Sequence, residues 1–161
     1  MNSLENKIAV ITGAGRGIGA ATARLFAKEG AKCVLAARTE KEIKALASEI
    51  EQEGGKALSL VCDVSKDADV ERLYHESIQA FTTIDILVNN AGGGKRNEVL
   101  DARLEDWDWM LNVNLRGAML CAKVFLPPMI RPRKERLLIS HLLLEFMDTK
   151  VAVLIVLQNL D

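Results

Sequence analysis

Between the apolar run Ile8 to Ile11 and a helical pattern from about Ala20 lies Thr12 to Gly19, T-G-A-G-R-G-I-G. No other stretch constrains the fold as much. A buried-type strand that turns directly into a helix leaves the helix's first backbone N–H groups unpaired at the turn. They carry partial positive charge that favours phosphate. Glycines there let the backbone approach a ligand and let the helix pack closely on its sheet. The spacing is not G-x-G-x-x-G, since counting from Gly13 puts Ile18 where the third glycine would stand. It is T-G-x-x-x-G-x-G, carried by Thr12, Gly13, Gly17 and Gly19, with Arg16 inside the turn. The stretch reads as a pyrophosphate cradle, against the alternative of a plain tight turn.

Downstream, strand-like and helix-like segments alternate. Ala20 to Glu29 reads as a helix that stops at Gly30, and Cys33 to Ala37 as a second strand. Glu40 to Glu53 places Ile43, Leu46, Ala47 and Ile50 at amphipathic helical spacing, and Gly54 with Gly55 ends it. Leu58 to Cys62 is a third strand, Asp67 to Phe81 a helix, and Ile84 to Val88 a fourth strand. Trp107 to Leu126 is a long helical stretch ending at Pro127 and Pro128. Such alternation predicts βαβ units, a parallel sheet and right-handed crossovers.

With 161 residues, 49% of them hydrophobic, and a net charge of -1, the chain is sized for one domain with a real core. No basic, aromatic-rich stripe points to nucleic acid. The polar stretch Met1 to Lys7 lacks a signal peptide's apolar region, which predicts a cytoplasmic protein. Cys33, Cys62 and Cys121 sit in apolar surroundings and read as buried reduced thiols. His75 and His141 have no second ligand at metal spacing, so no metal site is expected. Val151 to Leu157 is apolar throughout but far short of the roughly twenty residues a membrane span needs.

In open α/β sheets ligands sit at the carboxyl ends of the strands. Those positions hold the glycine turn, then Arg38 and Thr39, then Asp63 and Val64, then Asn89, Asn90, Ala91 and Gly92. With N-V-N-L at Asn112 to Leu115, they closely resemble the short-chain dehydrogenase/reductase family across about residues 4 to 130. There is also a general similarity to 3-oxoacyl-carrier-protein reductases. The resemblance implies an α/β, Rossmann-like, doubly wound parallel sheet, truncated here after about the fifth strand. Residues 1–134 would form the NAD(P)-binding domain and 135–161 an aberrant apolar tail in place of the catalytic segment.

The resemblance also implies roles. Thr12, Gly13, Arg16, Gly17, Ile18 and Gly19 would form the cofactor turn. Asp63 would accept from the adenine amino group beside Val64, and Asn90, Ala91 and Gly92 would pass close to the cofactor ribose. Asn114 would hold a water of the family's proton relay. Charge predicts the cofactor form. NAD enzymes usually place a carboxylate at the end of the second strand, where this chain has Ala37 followed by Arg38. Arg38 and Arg16 would together grip a 2′-phosphate, which favours NADP(H) over NAD(H). The expected substrate is a small carbonyl or alcohol. Intact relatives are homo-oligomers, and the segment missing here carries much of their subunit interface.

The chain departs from the family after about Arg131. The family's chemistry uses a serine and a Tyr-x-x-x-Lys pair. The tyrosine is the general acid, the lysine lowers its pKa and holds the ribose, and the serine orients the carbonyl. On family spacing those positions fall on Leu142, Ile155 and Asn159, while Tyr74, the only tyrosine, is followed four residues later by Ile78. Residues 135–161 can be back-translated with chosen third bases and read from the last base of the Lys134 codon. The result is GTIINISSLAGIYGYKGGSAYCASKLG. That string contains a strand, a serine pair and Y-C-A-S-K at family spacing, and the visible residues fix two bases of nearly every recovered codon. A single-base deletion near Arg131 to Lys134 is the expectation that follows.

Overall fold

The computed structural model describes residues 3–94, 101–130, 137–146 and 149–158, the last two stretches as backbone. The elements are β1 (Ile8–Thr12), α1 (Gly17–Lys28), β2 (Lys32–Ala37), α2 (Glu40–Gln52), β3 (Lys56–Val61) and α3 (Asp67–Phe81). They continue with β4 (Ile86–Asn89), α4 (Leu104–Leu111), a π-helical turn (Asn112–Arg116), α5 (Gly117–Ile130), β5 (Leu137–Phe146) and β6 (Thr149–Gln158).

The strands form one sheet in the order β3-β2-β1-β4-β5-β6. β1, β2, β3, β4 and β5 run parallel, with β4 paired to β5 from Ile86 opposite Leu137 to Asn89 opposite Ser140. The chain winds one way from β1 through β2 to β3, then crosses to the other side of β1 for β4. A crevice therefore opens at the carboxyl ends of β1 and β4. The Rossmann-like, doubly wound α/β architecture expected from the sequence is present, and the parallel part of the sheet ends at β5. Beyond that, β6 pairs antiparallel with β5 along its whole length, from Leu137 opposite Gln158 to Phe146 opposite Thr149. The apolar Val151 to Leu157 run, rich in β-branched residues, thus lies in a strand, although its unbroken apolar character shows no strand period.

Strand side chains alternate between two cores, one on each face of the sheet. Ile8, Val10, Val34, Ala36 and Leu87 pack with Val70 and Leu73 of α3 and Cys121, Phe125 and Met129 of α5. Ala9, Ile11, Cys33, Leu35, Ile86 and Val88 pack with Ala20 and Ala23 of α1 and Ile43, Leu46 and Ile50 of α2. The Gly30 stop is a left-handed cap at φ 92°, its N–H bonding Ala27 O while Ala31 N–H reaches Phe26 O.

One expectation is corrected. The helical stretch carries a π-helical turn within it, and it does not end at the prolines. α4 gives way to the π-helical turn at Asn112, and α5 runs through Pro127 and Pro128 to Ile130. Cys121, Phe125 and Met129 repeat at four-residue spacing and are fully buried, so core packing carries the helix past the break that its lost N–H groups invite.

Candidate functional site

The crevice at the strand ends is a cleft of about 610 Å³ lined by Gly13, Arg16, Gly17, Ile18, Arg38, Asp63, Val64, Asn90, Ala91 and Gly92, among others. Of the residues that the sequence assigns to the cofactor, only Thr12 and Gly19 do not line it.

Those two hold the turn in place. Thr12 is buried at the end of β1; its hydroxyl donates to Val88 O at 3.2 Å and accepts the N–H groups of Asn90 and Ala91 at 3.1 and 3.0 Å. The Asn90 amide returns the link, donating to Thr12 O at 3.0 Å and to Gly13 O at 3.1 Å. The first and fourth strand ends are thereby locked edge to edge. A Cβ on Gly13 would stand 2.8 Å from Ala91 Cα, and the residue has φ +65°, so only glycine fits without strain. A Cβ on Gly19 would run into the Asn90 amide and Gly13 O. Gly17, at φ +58°, has open space where a Cβ would stand and starts α1, whose first residues Gly17 and Ile18 line the cleft.

At the end of β3, Asp63 forms a tight turn, accepting Ser65 N–H at 3.1 Å and Ser65 hydroxyl at 2.7 Å. Its own N–H donates to Asp69 Oδ2 at 2.9 Å. That bond, more than the nearby Arg72, holds the Asp69 carboxyl below the usual range. Asp63 therefore both builds a turn and faces the cleft. Val64 is buried against the start of α5, where a Cβ on Gly117 would stand 2.8 Å from its Cγ2.

Asn114, in that π-helical turn, is buried and aimed back at the loop after β4. Its amide is spent on Gly93 backbone, with Gly93 N–H donating to Oδ1 and Nδ2 donating to Gly93 O, both at 2.9 Å. The side chain thus fastens the loop. π-bulges inside α-helices are frequent at functional sites.

The cleft's charge is mixed. Arg16 and Arg38 are exposed on its walls, but Glu42, from the first turn of α2, also lines it and lies over the glycine turn. A Cβ on Gly15 would stand 2.5 Å from Glu42 Oε2. The sequence reading missed this carboxylate, although the Thr39-x-x-Glu42 spacing at a helix start was visible. It also missed Gly93 and Val113 as lining residues, and Trp109, whose ring lies 6.0 Å from Arg38 Cζ.

Burial pushes the thiols of Cys33, Cys62 and Cys121 up to about 12, which keeps them protonated and unreactive. Among the described residues there is no cluster of three or more possible metal ligands, and no helix long and apolar enough to cross a membrane. The serine, tyrosine and lysine positions predicted from family spacing fall on Leu142, Ile155 and Asn159; the first two lie in β5 and β6, and Asn159 lies outside the described residues.

The sequence pattern of the short chain dehydrogenases matches residues 7–139. An uncharacterized oxidoreductase of Staphylococcus aureus strain MRSA252 is 38% identical over 138 residues, covering 86% of this chain and 59% of that protein. An alcohol dehydrogenase of the archaeon Thermococcus sibiricus, solved with 5-hydroxy-NADP, is 38% identical, with a TM-score of 0.76 over 79% of this chain and 55% of that one. A short chain dehydrogenase of Mycobacterium smegmatis is 33% identical, with a TM-score of 0.76 over 80% of this chain and 53% of its own. The chain thus spans less than two thirds of the length of each of these relatives.

Proposed function

Because the chain belongs to the short chain dehydrogenase family, we propose that its cleft holds a nicotinamide dinucleotide, NADP(H) in preference to NAD(H). The observation that carries this is the Gly13 to Gly19 turn, opening onto the same cleft as Arg16, Arg38, Asp63 and the Asn90 to Gly92 loop. The cradle fits a diphosphate: Gly13 leaves no room for a side chain, and the α1 N-terminus offers unpaired N–H groups. Arg16 and Arg38 would take the 2′-phosphate, against the opposing charge of Glu42. Asp63 and Val64 would take the adenine, and Asn114 would keep the ribose-side loop in place. When bound, the dinucleotide supplies hydride exchange with a carbonyl or alcohol. In intact relatives the protein adds a general acid, whose loss typically costs about 10²- to 10⁴-fold.

In this reading residues 1–134 are the cofactor half, cytoplasmic, and residues 135–161 are a frameshifted tail without the acid. The chain is then an oxidoreductase by descent that does not turn over. Exposed Leu104 and Leu111 of α4, Leu115 of the π-helical turn and Met119 of α5 support self-association. The presence of Leu142, Ile155 and Asn159 at the family's catalytic spacing favours a second reading, a non-catalytic nucleotide- or partner-binding protein on a half-Rossmann scaffold.

Titration with NADPH and NADH beside a carbonyl-reduction assay tests what both readings share, a cleft that binds the dinucleotide without turnover. Binding without turnover supports the proposal that this chain keeps only the cofactor half. Turnover refutes the account of the tail, and no binding refutes the cleft assignment. Resequencing the gene tests the frameshift: a continuous frame with no Y-x-x-x-K coding in any register refutes it.

A further inference from the structure

We infer that Trp109 tempers the choice of cofactor: its indole parks the Arg38 guanidinium beside the cleft until a 2′-phosphate draws it away. The inference rests on the NADP(H) reading above.

Arg38 follows β2 on one bank of the cleft, and Trp109 belongs to α4 on the other. The guanidinium carbon lies over the indole at 6.0 Å, within cation–π range. Trp109 is fixed on its own bank. It is half-buried against the core that contains Val113, four residues on, and a Cβ on Gly93 would stand 3.1 Å from its Cη2. Arg38, Gly93 and Val113 line the same cleft as Asp63 and Val64, the residues proposed for the adenine, and the Arg38–Trp109 contact joins its two banks. Arg38 is exposed, and among the described residues no carboxylate pairs with it. A guanidinium held only by an indole face is easily exchanged for paired, charge-assisted bonds to phosphate. A dinucleotide with a free 2′-hydroxyl offers no such exchange and leaves Arg38 on the ring.

The two tryptophans are Trp107 and Trp109, so Trp107→Phe isolates the reporter. The test titrates this variant with NADP⁺ and NAD⁺, following indole emission together with occupancy by equilibrium dialysis. The oxidised forms do not absorb at the emission wavelength. At equal occupancy NADP⁺ is expected to change Trp109 emission severalfold more than NAD⁺, and Arg38→Gln without nucleotide to shift emission in the same direction. Trp109→Leu is expected to improve the NADP⁺-to-NAD⁺ affinity ratio about two- to fivefold, the worth of an exposed cation–π contact. Equal emission responses, or an unchanged ratio in Trp109→Leu, overturn the parked arginine while leaving the NADP(H) reading intact. Dialysis that finds neither dinucleotide bound overturns both. The unsubstituted protein gives the same emission comparison with Trp107 present, so the test does not depend on one variant folding.

Discussion

Asn114 and Gly93 are joined by a reciprocal pair of hydrogen bonds, each 2.9 Å, that fastens the loop after β4 to the π-helical turn. The side chain is buried, so its loss leaves backbone groups of a cleft-lining loop without partners. Asn114→Ala is expected to cost roughly 0.5–1.5 kcal/mol, the net worth of hydrogen bonding to a half-buried backbone such as that of Gly93. That is a few degrees of Tm in a chain of this size. Dinucleotide affinity should fall with it. Calorimetric melting and a binding titration check both, and an unchanged Tm would show that the loop holds itself.

The glycines of the turn should not be equivalent. Gly13→Ala adds a Cβ 2.8 Å from Ala91 Cα at φ +65°, so it should both destabilise the fold and abolish binding. Gly17→Ala meets nothing within 4 Å and carries only the left-handed strain of φ +58°, about 1–2 kcal/mol. Its binding loss should be smaller. Paired melts and titrations of the two variants decide this, and equal losses would mean that crowding at Ala91 is not what restricts Gly13.

Glu42 brings a carboxylate into a cleft whose cations are proposed to hold a 2′-phosphate. Removing that charge without changing shape should help the phosphorylated cofactor more than the unphosphorylated one. Glu42→Gln is expected to tighten NADPH several-fold more than NADH, most strongly at low salt, where screening is weakest. Arg38→Asp should reverse the preference. An Arg38→Asp protein that still favours NADPH would remove the charge argument altogether.

The acid limb of stability should carry a contribution from Asp69. Its carboxyl is lowered first by the bond from Asp63 N–H and then by Arg72. An unfolded aspartate titrates near ~3.9, and the folded value lies below it. The stabilisation is therefore complete above about pH 4 and is lost as pH falls through the folded pKa. Asp69→Asn should flatten this part of the curve. Urea melts between pH 2 and pH 6, at about half-unit steps, read the difference.

Much of the fold is legible in the sequence because period and punctuation agree. The apolar spacing from Asp67 to Phe81 gives the bounds that α3 has in the structure, and Gly30 and Gly54 mark helix stops that adopt left-handed φ. Residues after the strands identify most of the cleft. What stays hidden is contact across sequence: Glu42 over Gly15, Trp109 beneath Arg38, and Asn114 spent on Gly93. Local pattern reports a residue's own element, not the element facing it. Pro127 and Pro128 mislead for a related reason, because burial of Met129 outweighs a local break.

The antiparallel β5–β6 pair makes the last prediction. β6 closes the sheet order on one side, and its sequence from Val151 to Leu157 is apolar without a charge or proline. A sheet-edge strand of that composition is a template for pairing with another chain. The protein should associate as concentration rises, and sedimentation velocity should show the distribution moving to larger species. Single charges in the strand, Val153→Lys or Leu154→Lys, should suppress this whichever face they occupy, because a charge opposes edge pairing from either side. The apolar stripe of Leu111, Leu115 and Met119 is the competing source of association. Leu115→Lys distinguishes the two: if it alone restores the monomer, the helices and not β6 form the contact.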